Sequence, residues 1–310
     1  MTGTDYQELY VPKRKGGRRR ILIPSDSLKR TQREILKLLT RQFRKRHNVY
    51  GLCPRGSYVK HAKVHSHSRF VLQIDLKDAF PSVPISKLKT ILEKGLGHLN
   101  TKGSPQTVAE LVLEKTTFQN TLPQGAPTSP FLFYLVMTEG GLFSKLQSLC
   151  NHRWKTSCYV DNIVISGPKP PSLEEMRRIF EIIEKHGFKA NKRKTHLFDC
   201  RQGAVLICGV SVNNDGEIRL PKRKIREIRG RIYRAIFSLT PDTIRQIHGL
   251  VGGTLKPIYG KELPPQISKL YSRFLKACAR FKRKIAIEKA HLKQAAIPLD
   301  SKQTRLTQWM

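Results

Sequence analysis

The stretch Cys158–Ser166, reading Cys-Tyr-Val-Asp-Asn-Ile-Val-Ile-Ser, is the strongest single constraint on this chain. Two short runs of β-branched and aromatic residues, around Cys158–Val160 and Ile163–Ile165, flank the polar pair Asp161-Asn162. That pattern predicts a tight hairpin with the pair in its turn and Asp161 at the tip. Taken alone it is an ordinary hairpin with an aspartate in its turn. A second stretch, Phe70–Ser82, changes its meaning. It reads as an apolar strand ending in Asp75, with Asp78 just beyond as a further ligand or a helix N-cap. Two carboxylates from separate strand ends, 86 residues apart in the chain, can converge on one divalent-cation site. Phosphoryl transfer uses such a site, with metal ions about 3.5–4 Å apart on the attacking and leaving oxygens. Mg²⁺ needs only one or two protein carboxylates, because water and substrate phosphates supply its other ligands.

Three segments in this order carry a family resemblance. Asp75 with Phe80 five residues on, Leu122-Pro123-Gln124-Gly125-Ala126-Pro127-Thr128-Ser129-Pro130, and Tyr159-Val160-Asp161-Asn162 resemble the palm motifs of the reverse transcriptases. The resemblance implies an α+β chain with the right-hand polymerase architecture of fingers, palm and thumb. It implies a small palm sheet and a basic helical thumb, with fingers over residues 1–69 and part of 82–118, palm over 70–218 and thumb over 219–310. It further implies an RNA-directed DNA polymerase in which Asp75 and Asp161 hold Mg²⁺. Phe80 becomes a gate that excludes a 2′-hydroxyl, and Leu76, Gln124 and Gly125 become nucleotide contacts. Lys194 becomes the cation at the leaving pyrophosphate, and Tyr159 a contact to the nucleic acid. Asn162 departs from the family's aspartate. It removes one negative charge, which keeps a binding subunit without chemistry as the alternative and makes Mn²⁺ a possible substitute cofactor.

Charge supports a polyanionic partner. The 310 residues carry net +35 with an isoelectric point near 10.4, and self-repulsion on that scale suits nucleic acid. A membrane surface would call for a basic amphipathic anchor or a lipidation signal, and neither stands out. The six cysteines form no Cys-x-x-Cys pair. With no signal peptide and no apolar run near 18 residues, a soluble cytoplasmic protein is expected.

Several further segments bear on the site. Residues 1–10 are polar and expected to be loosely held. Gly16-Gly17 between two basic runs predicts a hairpin whose Lys13, Lys15, Arg18 and Arg20 grip nucleic acid and incoming triphosphate. Residues 27–46 follow a helical period with a basic opposite face. His61-Ala62-Lys63-Val64-His65 has no cysteine or nearby carboxylate to make a metal site. It instead resembles the Asn-Ala-x-x-His element of retron reverse transcriptases, with His61 in place of asparagine. Residues 83–118 read as two helices, 129–149 as one apolar helix, and Ser172–His186 as an amphipathic helix. Leu206–Asn213 reads as a strand pair with an Asn-Asn-Asp-Gly turn. From Arg219 onward 22 Lys and Arg face five Asp and Glu. There a basic helix over 222–237 offers Arg226, Arg229 and Arg234 to a phosphate backbone, and Thr240-Pro241-Asp242 opens another helix.

The reading that follows is a retron-type reverse transcriptase, making RNA-linked single-stranded DNA in antiphage defence. Its partners would be a structured noncoding RNA template, the RNA/DNA product, deoxynucleoside triphosphates and a possible effector protein. An RNA-directed RNA polymerase is disfavoured by the bulk of Phe80, and a basic structural protein leaves the order of the motifs unexplained.

Overall fold

The computed structural model describes residues 5–13, 16–43, 48–51, 57–97, 99 and 105–295. Lys15 lies outside them. The chain divides into two compact units, Met1–Ile218 and Arg219–Met310.

The first unit opens with β1 (Tyr6–Pro12) and β2 (Arg18–Pro24), an antiparallel hairpin. The strand therefore begins inside the segment expected to be loose, because Tyr6 is a buried anchor beside Leu22, Leu28 and Ala126. Helix α1 (Asp26–Gln42) is capped by the Ser25 hydroxyl, which accepts from the Leu28 N–H. Next come β3 (Val49–Tyr50), α2 (Tyr58–Val64) and β4 (Phe70–Asp75). Helices α3 (Ile85–Leu96) and α4 (Pro105–Thr116) follow.

The single helix expected over 129–149 is two, α5 (Ser129–Thr138) and α6 (Leu142–Cys150). The break falls at Gly140-Gly141. Gly141 takes φ +86°, and a Cβ on Gly140 would lie 2.1 Å from the Val136 carbonyl oxygen. Helix α5 is apolar on every side and buried almost throughout, as a helix at the centre of a core must be.

Strands β5 (Lys155–Tyr159) and β6 (Asn162–Gly167) precede α7 (Leu173–Lys185), whose Ser172 and Glu175 form a reciprocal capping box. Then come β7 (His196–Asp199), β8 (Val205–Ile207), β9 (Val210–Val212) and β10 (Ile218–Arg219). The central sheet runs β3-β5-β6-β4-β7, antiparallel except for the β3–β5 pair. Its interior residues Leu72, Ile74, Ile163 and Ile165 join Phe133, Leu135, Ile179 and Ile183 in one core.

The second unit holds α8 (Lys222–Phe237), α9 (Pro241–Leu250), a π-turn over Val251–Leu255, α10 (Lys256–Tyr259) and α11 (Pro265–Ala295). Ile225, Ile228 and Ile232 of α8 meet Ile247, Ile267 and Phe274 in a separate core. The basic residues of α8 are left on its exposed faces. No described helix is long and apolar enough to cross a membrane.

Candidate active site

Strands β5 and β6 pair with Tyr159 opposite Asn162. The two-residue turn is therefore Val160-Asp161, not Asp161-Asn162, and Asn162 is the first residue of β6. Val160, expected in a strand, has φ +56°. A β-branched residue in that region is strained, at a cost of about 1–3 kcal/mol. Surrounding contacts hold it there: its N–H donates to the Tyr50 carbonyl at 3.2 Å, and its side chain packs on the core.

Asp75, the last residue of β4, pairs across the sheet with Asn162. The Leu76 N–H donates to the Asp161 carbonyl at 3.1 Å, so the strand end and the turn are stitched together. The Asp75 carboxylate accepts from Lys194 Nζ at 2.9 Å and from Asn191 Nδ2 at 3.4 Å. Asn191 also donates its N–H to the Asp75 carbonyl at 2.7 Å. Burial raises the Asp161 carboxyl above the ordinary carboxylate range. Its own backbone N–H opposes the rise, Asp75 adds to it, and Lys194 and Arg19 oppose it. A buried carboxylate beside a second one is a site short of positive charge.

These residues suit a hard divalent cation. Asp75 and Asp161 supply the one or two carboxylates that Mg²⁺ takes, and the Asn162 carbonyl oxygen is buried without a partner. No cluster of three or more His, Cys, Asp or Glu occurs among the described residues. Asp78 is exposed in a left-handed turn, φ +44°, and does not cap a helix; α3 begins later, after Pro84.

Strand alternation re-sorts the basic residues of the β1–β2 hairpin. Arg18 and Arg20 project from one side of β2 and Arg19 from the other. Arg20 is ion-paired with Glu8 and lies over the Phe118 ring. Arg19 is the residue of β2 whose charge, with that of Lys194, reaches Asp161. Arg18 and Lys13 are exposed near the hairpin tip. Gly125, a nucleotide contact by the resemblance, is approached by protein backbone. The backbone that approaches it is β2: a Cβ there would lie 2.6 Å from the Leu22 carbonyl oxygen, and the Leu22 N–H donates to the Gln124 carbonyl at 2.7 Å. The Leu76 side chain is in the core, so any nucleotide contact falls to its backbone. Phe80 is half-buried against Phe133, ring centroids 5.3 Å apart. The Tyr159 ring lies so close to Gly51 that a Cβ there would meet it at 2.8 Å.

Behind the turn runs a buried polar chain that joins His61 and His65 of the His-Ala-Lys-Val-His segment to three serines. His61 Nδ1 lies 2.7 Å from Ser157 Oγ, which lies 2.7 Å from His65 Nε2. His65 Nδ1 lies 2.8 Å from Ser166 Oγ, which donates to Ser68 Oγ at 2.9 Å. Burial lowers the His61 imidazole to about 4 and holds His65 well below its usual value. Both rings are therefore neutral, each with one N–H. With Ser166 donating onward to Ser68, it accepts from His65 Nδ1. Ser157 then donates to His65 Nε2 and accepts from His61 Nδ1. The chain ends at His61 Nε2, buried and unpartnered. Serines inside the apolar strands at 157 and 166 were the available signal for it.

The strand pair expected near Leu206 is β8–β9, but it turns at Cys208-Gly209. Both residues have positive φ, as a two-residue hairpin requires. Asn213-Asn214-Asp215-Gly216 is a turn as expected, but it joins β9 to β10, its neighbour in the same three-stranded sheet. Burial, reinforced by Asp161, pushes the Cys208 thiol up to about 12.

In the second unit, Arg226 and Arg229 are exposed on α8. Arg234 lines a groove of about 510 Å³ with Arg231, Thr243 and Gln246.

Residues 11–212 match the family model described as reverse transcriptase (RNA-dependent DNA polymerase). The chain belongs to the reverse transcriptase family. Among its relatives, the retron Mx162 reverse transcriptase of Myxococcus xanthus is 28% identical over 260 residues, 75% of this chain and 53% of that protein. The retron Mx65 reverse transcriptase of the same organism is 31% identical over 67% of this chain and 51% of its own length. The Escherichia coli retron Ec86 reverse transcriptase is 26% identical over 78% and 73%. This reverse transcriptase family member thus spans about half the length of the first two. The fold is similar to apo telomerase from Candida tropicalis, TM-score 0.57 at 13% identity, covering 92% of this chain and 60% of that one. Members of the family generally use divalent metal ions, typically Mg²⁺.

Proposed function

We propose that this chain is a retron-type RNA-directed DNA polymerase that copies a structured RNA into DNA, in antiphage defence and alongside a possible effector protein. The observation that carries the reading is the meeting of Asp75 and Asp161, held by the Leu76–Asp161 hydrogen bond and the Asp75–Asn162 register. In this reading residues 1–69 with part of 82–118 are fingers, 70–218 palm and 219–310 thumb.

Asp75, Asp161 and the Asn162 carbonyl hold Mg²⁺, or Mn²⁺ in its place. When bound, the cation neutralises phosphate charge and sharpens the attacking primer hydroxyl. The residues of the chain do the rest. Arg18 and Arg19 bring positive charge to the triphosphate, Arg19 from the β2 face that Asp161 senses. Gln124 and the Leu76 backbone flank the nucleotide, and Phe80 fills the space a 2′-hydroxyl would need, its ring backed by Phe133. Lys194, on Asp75, supplies the cation that balances departing pyrophosphate. Lys13, Lys15, Tyr159, Arg226, Arg229 and Arg234 contact the nucleic acid.

One observation favours a second reading, a nucleic-acid-binding subunit without chemistry: Asn162 leaves the site one carboxylate fewer. The two are separated by incubating the wild-type chain with its own copurified RNA, deoxynucleotides and either Mg²⁺ or Mn²⁺. DNA synthesis, refused with ribonucleotides, is the expected result. Extension only after Asn162→Asp would make the wild type a scaffold.

A further inference from the structure

Asp75 is held along both edges of β4. On one edge it faces Asn162 of β6. On the other, residues 189–191 lie antiparallel to residues 75–77. There the Lys77 N–H donates to the Lys189 carbonyl at 2.8 Å, Leu76 bridges Ala190, and the Asn191 N–H donates to the Asp75 carbonyl at 2.7 Å. Asn191 is itself fixed through its backbone. Its carbonyl accepts from the Lys194 N–H at 2.9 Å and from Thr195 Oγ1 at 3.0 Å. Just before it in the chain, Phe188 is buried with its ring edge to face against Phe133. From this seat the Asn191 amide donates to the Asp75 carboxylate at 3.4 Å, and Lys194 Nζ donates to it at 2.9 Å. Both donors take the same oxygen, Oδ2.

We propose that Asn191 is a positioning residue of the metal site: by holding Oδ2 it turns the other oxygen of Asp75, Oδ1, toward the divalent cation. The proposal rests on the reading of Asp75 and Asp161 as metal ligands and names what orients the first of them. The last torsion of an aspartate is broad and nearly two-fold, so a carboxylate at a strand end has no fixed direction until its partners choose an oxygen. Metal-binding carboxylates are accordingly hydrogen-bonded in turn by residues behind them. Lys194 and Asn191 are unequal partners. The lysine side chain is long, 56% exposed, and carries a charge that opposes the metal's. Asn191 is short, half-buried and neutral, so it orients Asp75 without cancelling the negative charge that attracts the cation. An aspartate at 191 would match its shape, but it could only accept and would set a further anion against Asp75.

The test uses the full chain and Mn²⁺, whose free concentration is read by electron paramagnetic resonance with no nucleotide present. Asp75→Asn and Asp161→Asn mark the site, and each should abolish tight Mn²⁺ binding. Asn191→Ala keeps the backbone bond to Asp75. It should raise the Mn²⁺ dissociation constant about 10-fold, the low end of the range for losing a partner of a metal ligand, since Lys194 still holds Oδ2. Asn191→His, whose Nδ1 can donate from nearly the same place, should recover most of that affinity. In primer extension, Asn191→Ala should need more metal but reach a kcat near that of the wild type once metal is saturating. A merely structural role would lower kcat at every metal concentration; that result with Mn²⁺ affinity unchanged overturns the proposal. A folded Asn191→His that binds Mn²⁺ no better than Asn191→Ala overturns it too. A circular dichroism melt checks that each variant folds. In wild-type protein carrying nitrogen-15 asparagine, the Asn191 side-chain signals should move as Mg²⁺ is added, and static signals overturn the proposal whether or not the variants fold. If Asp161→Asn loses Mn²⁺ and Asn191→Ala does not, this inference alone fails; if neither loses it, the metal-site reading fails with it.

Discussion

At the scale of single residues, the position of Asp161 follows from one left-handed backbone. With Val160 at φ +56°, a two-residue turn closes between Tyr159 and Asn162. Asp161 then stands at the tip, and Asn162 returns to the strand opposite Asp75. The sequence identifies Asp161 and Asn162 as the polar residues between two β-rich runs, but β propensity assigns Val160 to the strand. Only the strand register shows that the turn takes Val160 instead. The same register puts an amide where a third carboxylate would add charge. Its carbonyl oxygen is buried without a partner, so it can still accept a cation or a water. Asn162→Asp should therefore lower the Mg²⁺ concentration for half-maximal extension, read from a metal titration; an unchanged requirement would remove Asn162 from the site. Arg19→Ala should raise the Michaelis constant for deoxynucleotides more than Arg20→Ala does, because Arg20 is already spent on Glu8. Equal effects would return the two to the same role.

At the scale of elements, helix α2 and the residue after it hold the β5–β6 hairpin through neutral imidazoles. The chain from His61 through Ser157, His65 and Ser166 to Ser68 touches both β5 and β6. Because folding depresses these histidines below the usual value near 6.5, the unfolded chain binds protons there that the native state refuses. Stability should therefore be unaffected by them above pH 6.5 and should fall as pH drops from about 6.5 toward 4. From His61 alone the loss is on the order of 3 kcal/mol by pH 4. Denaturant melts across that range check it, and a His61→Gln variant should flatten the fall. Gly125→Ala tests a different junction, since its Cβ would strike the Leu22 carbonyl. Hydrogen exchange at the Leu22 amide should speed up as β2 lifts from Gln124; unchanged protection would contradict that packing. The amphipathic helices α1, α7 and α8 were legible, because a 3.6-residue period, and for α1 and α7 a serine cap, are written locally. The break in 129–149 and the β8–β9 turn were not. Gly140-Gly141 and Cys208-Gly209 interrupt apolar runs whose pattern on its own favours continuity, and tertiary packing decides both.

At the scale of the whole molecule, net +35 suits binding through phosphates. Affinity for unrelated duplexes should fall steeply with salt, at a log–log slope of about −0.9 per neutralised phosphate for B-form DNA. Replacing Arg226, Arg229 and Arg234 by Gln should make that slope shallower, measured by fluorescence anisotropy at several salt concentrations. The order of the motifs made the family legible from the chain alone. The hydrogen bonds from His61 and His65 to serines of β5 and β6 and the reach of Arg19 were not, because both depend on which side of a strand a residue faces once distant segments pair. The proposed polymerase requires Asp75 and Asp161 to act as one metal-dependent site. Primer extension by wild type, Asp75→Asn and Asp161→Asn, side by side with RNA affinity, tests it most directly. Each variant should lose extension by several orders of magnitude while binding RNA as tightly as the wild type. Substantial extension by either one would contradict the site.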